Sequence, residues 1–594
     1  MLFLKNLDEF LHRRFPAFPA AESPALDPCP AGQRGDFTIN AFRLARFCGG
    51  PANAAAAMAE CLSADPEIEN VEVVKAFVNV TVKPEVLLAA AADVDAIFAA
   101  AKLPAAEIRR VLIEYSAPNT NKPQHLGHVR NNTLGMSLAS LLRRVGDEVI
   151  EINLVNDRGI HICKSMLAYQ RFGSGETPES CGIKGDHLVG DYYVKFNTEL
   201  GRELKAYRAE HPAESEGKSD EELFGATELG AAAQQMLRDW EAGDPAVREL
   251  WKTMNSWVFA GFDATYRRMG IRFDHTYLES QTYLLGKDLI ARGLEQGVFT
   301  KREDGAVICD LGKLGKKVVL RSDGTSVYIT QDIGTTLRKF EDYAPGEMIW
   351  VVGDEQLLHF KMLFEILRRL GYSWADRLSH LSYGMVNLPS GKMKSREGTV
   401  VDADDLFDEM AELARNACRE RADADGLDEA EIARRGEAIG LGALKFMLLK
   451  FNPQTTMIFD PAASLKFEGD TGPYVQYVAV RVASIERKAA ERGFAVPEHP
   501  AWELLSSAPE KELAVKLFFY SETLKNCARK HDCSGLVEYL LGVAKAFNRF
   551  YRDCPVLAAE DRRIAAARLA LASAVRRVIV DGLATLTISV PEGM

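Results

Sequence analysis

Ser116-Ala-Pro-Asn-Thr-Asn-Lys-Pro-Gln-His-Leu-Gly-His-Val-Arg-Asn-Asn132 joins two patterns of opposite period. Before it, Val111, Leu112, Ile113 and Tyr115 form a short, partly β-branched apolar run; after it, Val129, Leu134, Leu138, Leu141, Leu142 and Val145 recur at helical spacing. Gly146-Asp147 stops that helix and Val149 to Val155 reads as a second strand, so the unit is βαβ. His125, Gly127 and His128 fall where the loop enters the helix, the end whose unpaired N–H groups and dipole favour an anion. Two imidazoles three residues apart can donate to a polyphosphate, and Gly127 has no Cβ to keep a planar base off the backbone. The same pair could equally cap and solvate the helix.

At 594 residues the chain exceeds what one hydrophobic core supports, so several domains are expected. There is no run of about eighteen apolar residues, and the start, Met1-Leu-Phe-Leu-Lys-Asn-Leu-Asp-Glu9, is amphipathic and charged; the expectation is a cytoplasmic chain with no membrane partner. Ten cysteines without a C-x-x-C pair, and none at zinc-finger spacing to histidine, point to reduced thiols and no structural zinc or other bound metal. The net charge of −12 argues only weakly against a nucleic-acid partner, because a local basic patch overrides the net sign.

The fold class expected is multidomain α/β. Residues 1–106 read as an N-terminal α/β module, with strands at Gly35–Asn40 and Val71–Val82. Residues 107–405 read as a split Rossmann-type domain, a parallel sheet interrupted after Asp191–Phe196 by a helical insertion over about 197–305 and resuming at Val318–Arg321, Met348–Val352 and Leu381–Val386. A ligand of such a sheet lies where the strand C-termini meet. Residues 406–466 read as a helical connection and 467–594 as an all-α bundle, built on helices such as Gly472–Ala490, Glu510–Lys530 and Gly535–Tyr551.

Two further stretches carry chemistry. Pro389-Ser-Gly-Lys-Met-Lys-Ser-Arg-Glu-Gly-Thr-Val-Val401 is a Gly-bounded basic loop whose Lys392, Lys394 and Arg396 can offset charge on a leaving pyrophosphate, or else form a solvated charge run. Tyr328 and Asp332 share one face of a helix start, and a carboxylate beside an aromatic ring suits a planar guanidinium. Glu114 ends the strand that leads to Ser116.

The His125-x-Gly-His128 stretch resembles the His-Ile-Gly-His signature of class I aminoacyl-tRNA synthetases, and its Ser-x-Pro-Asn119 lead-in and following Asn156-Asp-Arg-Gly159 resemble the arginyl enzymes. The resemblance extends over nearly the whole chain, most weakly across the insertion and residues 490–509. It implies an arginine–tRNA ligase that takes ATP with Mg²⁺, L-arginine and tRNA(Arg). It places ATP on His125, Gly127, His128, Lys392, Met393 and Ser395, and arginine on Glu114, Asn119, Tyr328, Asp332 and Gln356, with Asn119 at the α-amino group. Ser395 stands where the family pattern has a second lysine, a cation that Lys122 would supply from the opposite wall. Residues 1–106 resemble the tRNA-elbow domain, with Asn79 near the D-loop, and Phe467–Arg481 resembles the start of the anticodon-binding domain, with Tyr474 and Tyr477 stacking on bases and Phe547, Tyr551 and Met594 also at the tRNA. A monomer is expected. The alternatives are an adenylate-forming ligase of small molecules, which needs no second RNA-reading domain, and a catalytically silent tRNA-binding paralogue, against which the intact His125, Gly127 and His128 argue.

Overall fold

The computed structural model describes residues 2–19, 23–30, 32–325, 327–387, 389, 401–425 and 427–594. The chain forms two compact units. One comprises Met1–Leu103, Lys466–Lys530 and Gly535–Met594; the other comprises Pro104–Leu465 and His531–Ser534. The residues expected to form the N-terminal module, 1–106, and the bundle, 467–594, fall almost entirely in the first of these units. Strands β1 (Leu26–Pro28), β2 (Phe37–Asn40), β3 (Ile68–Val74) and β4 (Phe77–Val82) form an antiparallel sheet in the order β1-β2-β4-β3. The run read as one strand over Val71–Val82 is a hairpin that breaks at Lys75, where φ is +57°. Phe37, wholly buried on β2, packs its ring on Phe518 and Phe519 from the far end of the chain, at 5.1 and 5.7 Å. Phe98 meets Tyr520 at 6.0 Å, and Arg577 pairs with Asp95. The N-terminal sheet thus buries an apolar residue against the bundle, a partnership more than 400 residues apart that no local pattern reports.

In the other unit, β5 (Arg110–Glu114), the signature helix Leu126–Val145 and β6 (Glu148–Val155) make the expected parallel βαβ element. Gly146 closes the helix at φ +116°, a conformation costly for any residue with a Cβ. Strand β7 (His275–Leu278) continues the sheet beside β6. Strands β8 (Thr300–Lys301), β9 (Val307–Asp310) and β10 (Lys316–Leu320) form their own antiparallel sheet. Strands β11 (Glu347–Gly353) and β12 (Leu378–Tyr383) complete a five-stranded parallel sheet, β12-β11-β5-β6-β7. Two expectations change here. Val318-Val-Leu320 does not resume the main sheet, and β7, inside the stretch assigned to the insertion, is its edge strand. Apolar alternation marks a strand but not its sheet, and four residues reading His-Thr-Tyr-Leu give hardly any signal.

Asp191–Phe196 lies within the long helix Gly185–Glu210, so helical structure begins well before residue 197. The helices Ala403–Asp425 and Glu429–Leu449 belong to the same unit as the parallel sheet, and a short parallel pair, β13 (Val386–Asn387) with β14 (Met457–Ile458), ties that region to β12. The single helix expected over Glu510–Lys530 is two, Ala508–Phe518 and Tyr520–Lys530. Among the described residues no helix is long and apolar enough to cross a membrane.

Candidate active site

The C-terminal ends of β5 and β6 continue to pair past their strands: Thr120 N–H donates to the Asn156 carbonyl at 3.0 Å and Asn156 N–H to that of Pro118 at 3.0 Å. Between them the chain turns through Ser116 (φ +77°) and Ala117 (φ +46°), two successive non-glycine residues in the left-handed region. Such backbone persists only where its surroundings over-determine it. Here Ser116 N–H donates to Asn131 Oδ1 at 2.6 Å, Ala117 N–H to Asn153 Oδ1 at 3.0 Å, and Ser116 Oγ meets the Tyr266 hydroxyl at 2.7 Å. Asn131 also donates to the Val351 carbonyl at 2.7 Å, which locks the turn to β11. Asn119 is half-buried at this edge.

His125 is the N-cap of the signature helix. Its Nδ1 accepts the Gly127 N–H at 3.1 Å, and the Nδ1 of His128 accepts the His125 N–H at 3.2 Å, with ring centroids 4.0 Å apart. A nitrogen that accepts cannot carry the ring proton, so both neutral imidazoles hold it on Nε2. The capping and the phosphate-binding readings are therefore compatible: one nitrogen caps and the other remains a donor. Burial pushes His125 down to about 3, with the Lys122 ammonium adding to the effect, and burial, His125 and Lys122 hold His128 far below its usual range. A Cβ on Gly127 would lie 2.9 Å from His125 Cε1, so glycine here seats the histidine ring itself. Lys122 is half-buried, its pKa lowered by burial, and lines a 210 Å³ cavity with His125, His187, Asp191, Tyr193 and Asp402. Lys392, Met393, Lys394, Ser395 and Arg396 lie outside the described residues.

The second half of the crevice comes from the helix Tyr328–Tyr343. Tyr328 opens it, 73% exposed, and one turn on Asp332 Oδ2 lies 2.6 Å from His359 Nε2 on the helix Leu357–Arg369. Gln356 is exposed at the N-terminus of that second helix. Glu114, expected to face the guanidinium, has its carboxylate ion-paired with Lys339, a lysine 2% exposed and seven residues beyond Asp332. Sequence reading missed both His359 and Lys339. His359 had a signal, because it stands three residues after Gln356, one of the residues expected at the arginine; Lys339 had none. It also missed Glu279, which follows β7 and so reaches the same sheet edge; burial lifts its acid to about 7 despite Arg158, with Asp157 and Asp332 adding to the rise.

The family model for the class I tRNA synthetase (R) catalytic domain matches residues 94–461, that for the arginyl-tRNA synthetase N-terminal domain residues 2–82, and that for the DALR anticodon-binding domain residues 475–594. Arginine–tRNA ligase of Porphyromonas gingivalis is 47% identical over 536 residues, covering 90% of this chain and 89% of that one, and its counterpart from Parabacteroides distasonis is 45% identical over 89% and 88%. The chain belongs to the arginyl-tRNA synthetase family. The structure of Thermus thermophilus arginyl-tRNA synthetase superposes with a TM-score of 0.79 at 25% identity, each chain covered in full.

In the part of the synthetase that matches the anticodon-binding domain, Tyr477 and Tyr551 flank Arg481, whose guanidinium lies 4.5 Å from the Tyr477 ring and 4.9 Å from that of Tyr551. Asn548 joins Arg481 at 3.2 Å and donates to the Tyr474 hydroxyl at 2.8 Å. Phe547 is not part of this surface: it is fully buried beneath Tyr551 and stacked on its ring, as expected for an apolar position on the inner face of the helix Ser534–Asp553. Asn79 also departs from expectation. It is 1% exposed, accepting from Thr38 Oγ1 at 2.7 Å and donating to Gln33 Oε1 at 2.8 Å, so its amide is spent inside the sheet while Phe77 is 37% exposed. Met594 is half-buried at the end of the chain.

Two predictions arise here. Tyr477→Ala should weaken tRNA binding by about 1–3 kcal/mol without changing the KM for arginine or ATP, whereas Phe547→Ala should cost about 3–5 kcal/mol of folding stability; filter binding and denaturant unfolding separate the two. The second concerns pH. Because the folded pKa of His125 lies below the unfolded value of 6.5, the unfolded chain binds the extra proton, and this part of the stability is present above pH 6.5 and lost as pH falls toward 3. His125→Asn should therefore flatten the drop in denaturation midpoint between pH 7 and pH 5.

Proposed function

We infer that the synthetase is an arginine–tRNA ligase that forms arginyl-adenylate from ATP and L-arginine, then transfers the arginyl group to the 3′-terminal adenosine of tRNA(Arg). The observation that carries this reading is the paired Nε2–H tautomer of His125 and His128 at the sheet edge. In the first step the arginine carboxylate attacks the α-phosphorus, the bond to the β-phosphate oxygen breaks and pyrophosphate leaves with its magnesium. The two Nε2–H groups donate to the phosphates, and Lys122 stands in for the lysine missing at Ser395. Lys392, Lys394 and Arg396 offset the charge gathering on pyrophosphate, with Met393 and Ser395 beside the nucleotide and Gly127 leaving room for the base. In the second step a ribose hydroxyl, the 2′ in class I chemistry, attacks the acyl carbon and AMP leaves.

Asp332, held by His359, meets the arginine guanidinium beside Tyr328 and Gln356, and Asn119 meets the α-amino group. Glu114 acts at the base of that pocket through its pair with Lys339. Tyr474, Tyr477, Arg481 and Tyr551 read unpaired anticodon bases, with Met594 nearby, and the exposed Phe77 takes the elbow contact expected of Asn79. One chain carries both the adenylate-site residues and the tyrosines of the anticodon-binding domain, so a monomer suffices for the reaction, and its place of work in this reading is the cytoplasm. ATP–pyrophosphate exchange with tRNA(Arg) present should require arginine and not proceed with lysine. Tight tRNA binding with no arginine-dependent exchange would instead identify a silent paralogue.

A further inference from the structure

Beside the crevice, and sharing its cavity through His187 and Asp402, Lys184, Asp186, His187, Asp402 and Asp404 form a cluster of charge in which Asp186 is fully buried and the others are half-buried. Lys184 immediately precedes the helix Gly185–Glu210 of the insertion. Its ammonium donates to Asp404 Oδ2 at 2.6 Å, Thr265 Oγ1 at 2.6 Å and Asp186 Oδ2 at 3.1 Å, which uses all three of its hydrogens. His187 Nε2 stands 3.4 Å from Asp404 Oδ2 and 3.5 Å from Asp402 Oδ2. Asp186, His187 and Asp404 have the donor types of a cation site, but Lys184 Nζ bonds to the same Asp186 and Asp404 oxygens and takes the place a metal would need.

The backbone that these carboxylates belong to says what the cluster is for. Asp402 Oδ1 accepts the N–H groups of Asp404 at 2.8 Å and Asp405 at 3.2 Å, which starts the helix Ala403–Asp425. On either side of Asp402 the chain bonds to the signature stretch: Leu126 N–H donates to the Val401 carbonyl at 3.0 Å and Ala403 N–H to that of Gln124 at 2.9 Å. His125 and Asp402 are thus paired as an isolated antiparallel bridge. From the other side, the insertion helix lies directly on the approach to His125, where a Cβ on Gly190 would come 2.7 Å from Pro123 Cδ.

We propose that Lys184 is a positioning residue for adenylate formation, which fixes His125 by anchoring Asp404 and with it the 401–403 segment that frames residues 124–126. The proposal rests on the reading of His125 as a phosphate donor. A half-buried carboxylate such as Asp404 that loses its ammonium moves toward other partners or water, and displacement of a reacting group by about 1 Å costs on the order of 10²-fold in rate.

The test is a double-mutant cycle in the full-length enzyme, read as single-turnover adenylate formation with tRNA(Arg) bound. Lys184→Met keeps the length of the side chain and removes its charge; it should lower the rate by about 10–100-fold, with the KM for arginine and the Kd for tRNA little changed. In a His125→Ala background the same change should cost almost nothing, because the group it positions is gone. Asp404→Asn, which breaks the anchor from the other side while Lys184 keeps Asp186 and Thr265, should show the same non-additivity and serves if Lys184→Met does not fold. Lys184→Arg, which retains the charge, should recover most of the rate. Losses that add to that of His125→Ala, or no loss, would overturn the positioning role alone. If His125→Ala were itself without effect, the phosphate-donor reading would fall and this proposal with it.

Discussion

Replacing His125 by alanine should lower the rate of adenylate formation by about 10²–10³-fold, the usual cost of one transition-state donor, while tRNA binds as before. The structure adds a way to separate two roles of the same ring. His125 Nδ1 caps the helix through the Gly127 N–H, and loss of an N-cap side chain costs about 0.5–2 kcal/mol of stability. Asparagine is as good a cap as any residue but is too short to put a donor where Nε2 stands. His125→Asn should therefore keep the melting temperature near that of the parent and still lose most of the rate, whereas His125→Ala should lose both. His128→Ala should lose rate and also release the His125 N–H that its Nδ1 accepts. Stopped-flow or quench measurements of adenylate, beside melting curves, decide the matter; normal turnover in His125→Asn would leave the histidines with capping alone.

Asp332→Asn should raise the KM for arginine far more than the KM for ATP. The amide keeps the shape of the carboxylate but gives up its charge, and hydrogen bonds to charged groups contribute roughly 1.5–3 kcal/mol, which is about 10- to 150-fold in KM. The effect should be selective because the side chain that holds the Asp332 carboxylate is His359, 2.6 Å away on the helix Leu357–Arg369, and not one of the phosphate-end residues His125, His128 or Lys122. His359→Ala should then raise the arginine KM in the same direction but by less, since it frees Asp332 to turn away without discharging it. Steady-state kinetics with both substrates varied give the result. An equal rise in both KM values would remove Asp332 from the guanidinium pocket.

The sequence alone determined what depends on near neighbours. Strand, turn and helix around Ser116–Asn132 are contiguous, so their periods, the glycine that ends the helix and the two histidines three residues apart are all legible locally, and the family pattern extends them in order along the chain. The face shared by Tyr328 and Asp332 was legible for the same reason. Only the tertiary structure decided partners. It gave β7 rather than β10 to the parallel sheet, buried Asn79 and Phe547, paired Glu114 with Lys339 and Asp332 with His359, and set Phe37 against helices nearly 500 residues away. Periodicity reports that one face of an element is covered but not what covers it, and a charged side chain looks the same in sequence whether water or a buried counter-charge solvates it. Lys184 marks that limit: in the sequence it is one lysine before a helix, and in the fold it holds three elements to the residues beside His125.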